Sequence, residues 1–69
     1  MMNTNPEKLS ILRRKQVEQR TGLSRSTIYD HIQKGSFPRP VKLGARAVGW
    51  FENEIDTWLA TRLAERNNS

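Results

Sequence analysis

The chain has 69 residues and no cysteine, which bounds it to one small domain without disulfides or thiolate metal sites. Only 35% of its residues are hydrophobic, and no apolar run approaches the ~20 residues needed to cross a bilayer. Twelve Lys and Arg against seven Asp and Glu give a net charge of +5, which favours an anionic partner over a cationic one.

The opening "MMNTNPEK" lacks a basic segment leading into an apolar one, so it does not read as a signal peptide. Residues 1–8 are expected to be a disordered tail before a single domain over 9–66, with a second short tail over 67–69. The cytoplasm is the expected location. "LSILR" at residues 9–13 is short and rich in apolar residues, either a brief strand or an extended lead-in. "RRKQVEQRT" at residues 13–21 contains good helix formers around one apolar anchor, Val17. Gly22 then supplies the position that tolerates positive φ at a helix end, and Leu23 is the expected buried residue of the turn.

Ser24 is a good N-cap, its hydroxyl able to accept from the free amides of the following turn. The helix it opens is expected to run to about Lys34 and stop at Gly35. Ile28 and Ile32 are four apart and point to the core. At ~100° per residue, Ser26, Asp30 and Gln33 face the opposite side, with Thr27 and Lys34 at its margin. Arg25 falls nearer the apolar side but, in the first turn, can swing out past the helix end. "SFPRPV" cannot be regular, because Pro38 and Pro40 lack donors and Arg39 is held extended before Pro40. Phe37 is expected to plug the core from this loop.

"VKLGARAVGW" reads as two short strands around a turn, with Val41 and Leu43 on one face, Lys42 on the other and Arg46 at the tip. Val48 and Trp50 are expected to pair with Val41 and Leu43. "FENEIDTWLATRLAER" is the clearest helix: Phe51, Ile55, Trp58, Leu59 and Leu63 form one apolar stripe. Its early acids and late arginines both complement the helix dipole. The fold class is therefore mainly α with a small β-hairpin wing, three helices and two strands sharing one core.

Charge is unevenly spread along these elements. Ten of the twelve basic residues and only two acids, Glu18 and Asp30, lie between Lys8 and Arg46, whereas four acids face two arginines from Glu52 onward. A basic face and a mildly acidic back suit a polyanion, because clustered cations displace counterions from phosphates. Two short helices joined by a tight Gly-Leu turn form a helix-turn-helix signature, whose second helix enters the major groove with its N-terminal residues near base edges. A groove-facing residue must be short or flexible and carry donors and acceptors. Ser24, Ser26 and Thr27 can bond phosphates or bases, and Arg25 can grip guanine or phosphate. Tyr29, on the flank, offers an aromatic face and a hydroxyl to the DNA backbone.

The wing supplies a second contact. Lys42 and Arg46 lie outward beside the helix, within reach of the minor groove or flanking phosphates. Arg39, held by its prolines, is placed for a phosphate, and Lys34 stands at the margin of the groove side. Arg13, Arg14 and Lys15 open the first helix, where cations oppose the dipole, a placement easier to understand with phosphate nearby. Ser24 caps its helix whatever the function. Asp30 carries the wrong charge for a DNA face and is expected to pair with Arg25 or Lys34. His31 has neither a cysteine nor a second histidine to complete a metal site, and no cofactor is expected.

The run "TGLSRSTIYDHIQKGSFPRPVKLGARAVGWFENEIDTWLATR" resembles the AlpA family of prophage regulators, within the MerR-like winged-helix group that also contains phage excisionases. Its markers are Gly22 to Tyr29, Gly35-Ser36-Phe37-Pro38, Val41-Lys42-Leu43-Gly44, Arg46 to Trp50, and Ile55 with Trp58-Leu59; the likeness covers residues 9 to 63. The resemblance implies a winged helix-turn-helix that binds specific double-stranded DNA and controls integrase expression or excision. It matches Arg25, Ser26, Thr27 and Tyr29 to the recognition helix and Arg46 to the wing. Asp30 departs from the neutral or basic residue expected there. Larger MerR-type proteins add a dimerisation helix and an effector domain; this sequence carries neither, so a monomer that assembles cooperatively on DNA and senses no ligand is expected.

A protein-interaction module is the competing reading: a small inhibitor docking on an integrase or a larger regulator through its acidic third helix or an exposed tryptophan. An enzyme is disfavoured. Asp30 and His31 are helix neighbours pointing ~100° apart, and there is no glycine-rich phosphate loop.

Overall fold

The computed structural model describes residues 10–67. The expected N-terminal tail, Leu9 and the last two residues of the expected C-terminal tail lie outside the described residues. In chain order the elements are β1 (Ile11–Leu12), α1 (Arg14–Thr21), α2 (Arg25–Gln33), β2 (Val41–Gly44), β3 (Ala47–Phe51) and α3 (Glu52–Asn67). The architecture is mainly helical with a small β wing, a winged helix-turn-helix.

Local chemistry places the boundaries. Arg13 precedes α1 in extended conformation, and its amide donates to the Gln16 side chain at 2.8 Å, which satisfies one donor at the helix start. Gly22 ends α1 at φ 76°, donating to the Glu18 carbonyl. Ser24 caps α2 by accepting from the Thr27 amide at 3.2 Å. Gly35, at φ 77°, lets the chain leave α2, and its amide donates to the Ile32 carbonyl. Both positive-φ positions match what the glycines imply.

The lead-in resolves as a strand. β1 pairs antiparallel with β3, Ile11 opposite Phe51 and Leu12 opposite Trp50, so the sheet has three strands in the order β1-β3-β2. The wing is thus not a lone hairpin: its inner strand is braced from both sides, and a two-stranded ribbon is marginal in water without such support. The hairpin register also differs from expectation. Val41 stands opposite Gly49 and Lys42 opposite Val48, with a bulge between Lys42 and Gly44. Directly opposed residues share a face, so Val41 and Leu43 lie with Gly49 on the outer face while Val48 and Trp50 point to the helices. An irregularity of one residue reverses the face a strand presents, and composition cannot signal it.

The core is Leu12, Val17, Ile28, Phe37, Trp50 and Ile55, with Leu23, Ile32, Val48, Trp58 and Leu59 packed against it. Every element but β2 contributes, as does the loop after α2 through Phe37. Leu23 is half-buried, and Phe51 closes β3 rather than opening α3. Leu63 is 51% exposed and belongs to no core, because α3 continues past the sheet it packs on. Trp50 is fully buried and donates through Nε1 to the Pro38 carbonyl at 3.0 Å; Trp58 donates to the Ser36 carbonyl at 2.7 Å. Two indoles therefore hold the proline-bracketed loop, whose own backbone has few donors to offer. Phe37 meets Trp58 edge-to-face at 4.8 Å, and the Arg62 guanidinium lies 4.9 Å from the centre of the same indole.

Candidate nucleic-acid interface

The second helix is held from beneath and open above. Ile28 is fully buried and Ile32 partly so, while Ser24, Arg25, Ser26, Tyr29, Asp30, Gln33 and Lys34 are exposed. The exposed residues at its start differ in what they have left to offer. The Ser24 hydroxyl accepts from the Thr27 amide and donates to Thr27 Oγ1 at 3.0 Å. Its hydrogen is committed, so Ser24 acts first as a cap. The half-buried Thr27 hydroxyl accepts that bond and keeps its own hydrogen to donate outward. Ser26 and Arg25 are both exposed.

Tyr29 is set by the core rather than left on a loose flank. Its ring meets Trp50 edge-on at 6.3 Å, and the Arg25 guanidinium lies 5.9 Å from the Tyr29 centroid. Such a ring–cation pair is worth ~0.5–1 kcal/mol when exposed. A buried tryptophan thus positions an exposed tyrosine, which in turn steadies the arginine most able to read a guanine. Asp30 pairs with Lys34, Oδ2 to Nζ 3.1 Å, as one of the two expected pairings required. Both side chains are more than half exposed, so the pair is weak and salt-screened. It cancels one charge on the exposed side of α2 and, among the described residues, leaves Arg25 without a carboxylate partner.

The wing brings further cations. Arg46 sits at the tip and lines a hollow of about 370 Å³ with Arg13, Arg14, Lys15 and Val48. Lys42 is exposed on β2, opposite Val48. Arg39 is placed differently: it lines a groove with Pro38, Pro40, Val41, Phe51 and the Asn53, Glu54 and Thr57 side of α3. The nine residues singled out from the sequence therefore divide into α2 (Ser24, Arg25, Ser26, Thr27, Tyr29, Lys34), wing (Lys42, Arg46) and a separate loop position (Arg39). Among the described residues no group of three or more His, Cys, Asp or Glu could hold a metal ion, and no helix is long and apolar enough to cross a membrane. His31 meets the Ser36 hydroxyl at 3.2 Å through Nδ1.

One cross-helix residue has no signal in the sequence. Arg20, near the end of α1, bonds Glu52 at 2.8 Å and Asp56 at 2.6 Å across to α3. Hydrogen bonding to Glu52, with the charge of Asp56 adding to it, raises the Arg20 pKa above its already high ordinary value. The acids that the sequence assigns to the α3 dipole thus also clamp α1. Nothing local signals a pair 32 and 36 residues apart.

Comparison with known proteins places this geometry. A family model described as prophage CP4-57 regulatory protein (AlpA) matches residues 10–63. The chain is similar to the DNA-binding transcriptional activator AlpA of Escherichia coli (strain K12), 44% identical over 64 residues that cover 84% of this chain and 91% of the relative. It is also similar to the uncharacterized protein ORF88 of Enterobacteria phage P4, 53% identical over 45 residues, or 65% of this chain and 51% of the phage protein. The chain thus spans about half the length of that phage relative. The family match extends from the strand before α1 into the exposed later turns of α3 and takes in every candidate position named above; the chain belongs to the AlpA family of prophage regulatory proteins.

Proposed function

We propose that this protein is a sequence-specific DNA-binding transcription regulator of a prophage or integrated element, acting in the cytoplasm and without enzymatic activity. The observation that carries the proposal is the state of α2: buried through Ile28, open at Arg25, Ser26 and Tyr29, with Arg25 unpaired with any carboxylate among the described residues. The relative named as a DNA-binding transcriptional activator supports it. In this reading α2 lies in the major groove of double-stranded DNA, Arg25 and Ser26 reach base edges, and Thr27, Tyr29 and Lys34 contact the flanking backbone. Lys42 and Arg46 extend the contact through the wing, and Arg39 takes a more distant phosphate.

Arg25→Ala and Arg46→Ala are expected to abolish binding to a footprinted duplex while leaving the melting temperature within a degree or two of the parent's. Anisotropy titration checks the first and calorimetry the second. Parent-like affinity in both variants rules out the assignment. Salt separates this reading from a protein-docking module: binding that engages six or more phosphates weakens ~10³-fold or more between 50 and 200 mM salt, while an apolar interface barely responds. Control of integrase expression and control of excision are distinguished by where the footprint falls, at a promoter or at an attachment sequence. Contact with an integrase or another regulator is tested by adding that protein to the same titration. One unit covers ~600–1,000 Å² of its own surface on DNA, so a monomer gains specificity by cooperative binding to adjacent sites.

A further inference from the structure

We propose that the hollow between the wing tip and the start of α1 seats one backbone phosphate of a bound duplex, whatever its sequence. The inference rests on the DNA-binding reading and extends it to α1, through Arg13 and Lys15.

Strand pairing makes the hollow. Leu12 is paired antiparallel with Trp50, so the chain leaving β1 runs back along β3 towards the tip. Arg13, Arg14 and Lys15 are thereby carried to Arg46, with Val48 as the apolar floor. Among the described residues no carboxylate lines the hollow. Arg14 is neutralised by Glu18, one turn along α1. Arg13, Lys15 and Arg46 have no ion-pair partner among the described residues.

Such an arrangement is unfavourable in the free protein. Like charges converge, and three of them stand where the dipole of α1 opposes cations. An oxyanion in the hollow reverses both terms. At about 370 Å³ the space admits a phosphate with several waters of ~30 Å³ each. A second feature points to a duplex rather than to an acidic protein. Lys15 also lines the adjoining hollow, with Ser24, Leu23 and Glu18 among its walls. One lysine is therefore a shared wall, and the two hollows make a track from the start of α2 to the wing. A phosphate chain leaving the recognition helix follows that track.

The test uses the full chain carrying Arg13→Gln and Lys15→Gln together, with anisotropy titrations on a footprinted duplex and on a scrambled one, each between ~50 and 200 mM salt. Affinity is expected to fall by the same factor on both duplexes, roughly threefold to tenfold, and the slope of log K against log salt to shrink by about one or more. The free variant is expected to melt at or above the parent's temperature, since it has shed repulsion. Arg13→Lys with Lys15→Arg is expected to keep the parent's affinity. A Gln double variant with parental affinity and slope overturns the inference, as does a loss confined to the footprinted duplex or one accompanied by a lower melting temperature. If the parent itself binds neither duplex, the DNA-binding reading fails and this inference with it. An effect on binding to an acidic protein alone also overturns it.

Discussion

Gly49 shows how much one missing side chain decides. It lies in β3 opposite Val41, and a Cβ there would collide with the Ile11 side chain and come within 3.1 Å of the Leu12 carbonyl oxygen. That space lets β1 and β2 flank β3 with Ile11 and Leu43 closing over it from either side. Gly49→Ala is expected to destabilise the fold by ~1–3 kcal/mol, the range for overpacking, read as a lower urea midpoint with an unchanged slope; an unaffected midpoint rules out the crowding. The same scale shapes the opening of α2. The cap at Ser24 and the exposure of Arg25, Ser26 and Tyr29 are legible in the sequence because caps and helical periodicity act over a few residues. What each can still donate is not, since that depends on partners such as Thr27 for Ser24 and Trp50 for Tyr29.

Among the elements, α1 has little of its own to hold it. Like α2 it buries one side chain, here Val17, and carries no acid in its first turn; it is tied to α3 by Arg20. The clamp joins the end of α1 to the first turns of α3. Arg20→Met is expected to lower the melting temperature at low salt, by an amount that shrinks as salt screens the parent's pair; an equal loss at 1 M salt contradicts the clamp. The sign with pH is simple. A pKa raised above its ordinary value contributes stability that is fully present below that ordinary value and lost only as pH rises through the folded one. Both lie far above neutrality, so the guanidinium itself brings no pH dependence between 5 and 9, the carboxylates aside. The helices are legible as elements because their apolar periodicity and glycine stops are local. β1 is too short to announce itself, and its partner lies about forty residues away in β3.

For the molecule as a whole the margin is narrow. A single-domain chain of this size has roughly 5 kcal/mol of stability, carried here by six buried side chains and their half-buried neighbours. Phe37, 6% exposed, comes from a loop and touches Trp58. Phe37→Ala is expected to cost ~3–5 kcal/mol, enough to leave much of the chain unfolded at 37 °C by circular dichroism; a cooperative melt near the parent's temperature contradicts its place in the core. By itself the sequence determined the excess of positive charge, the three helices, the Ser24 cap, the glycine stops of α1 and α2 and the exposed opening of α2, the structural features being consequences of interactions spanning fewer than five residues. Only the tertiary structure decided the third strand, the hairpin register, the clamp from Arg20 and the meeting of Arg46 with the start of α1. Each of these depends on which distant segments lie side by side, and pairing across that distance is selected by the packing of one shared core, not by any neighbouring residue.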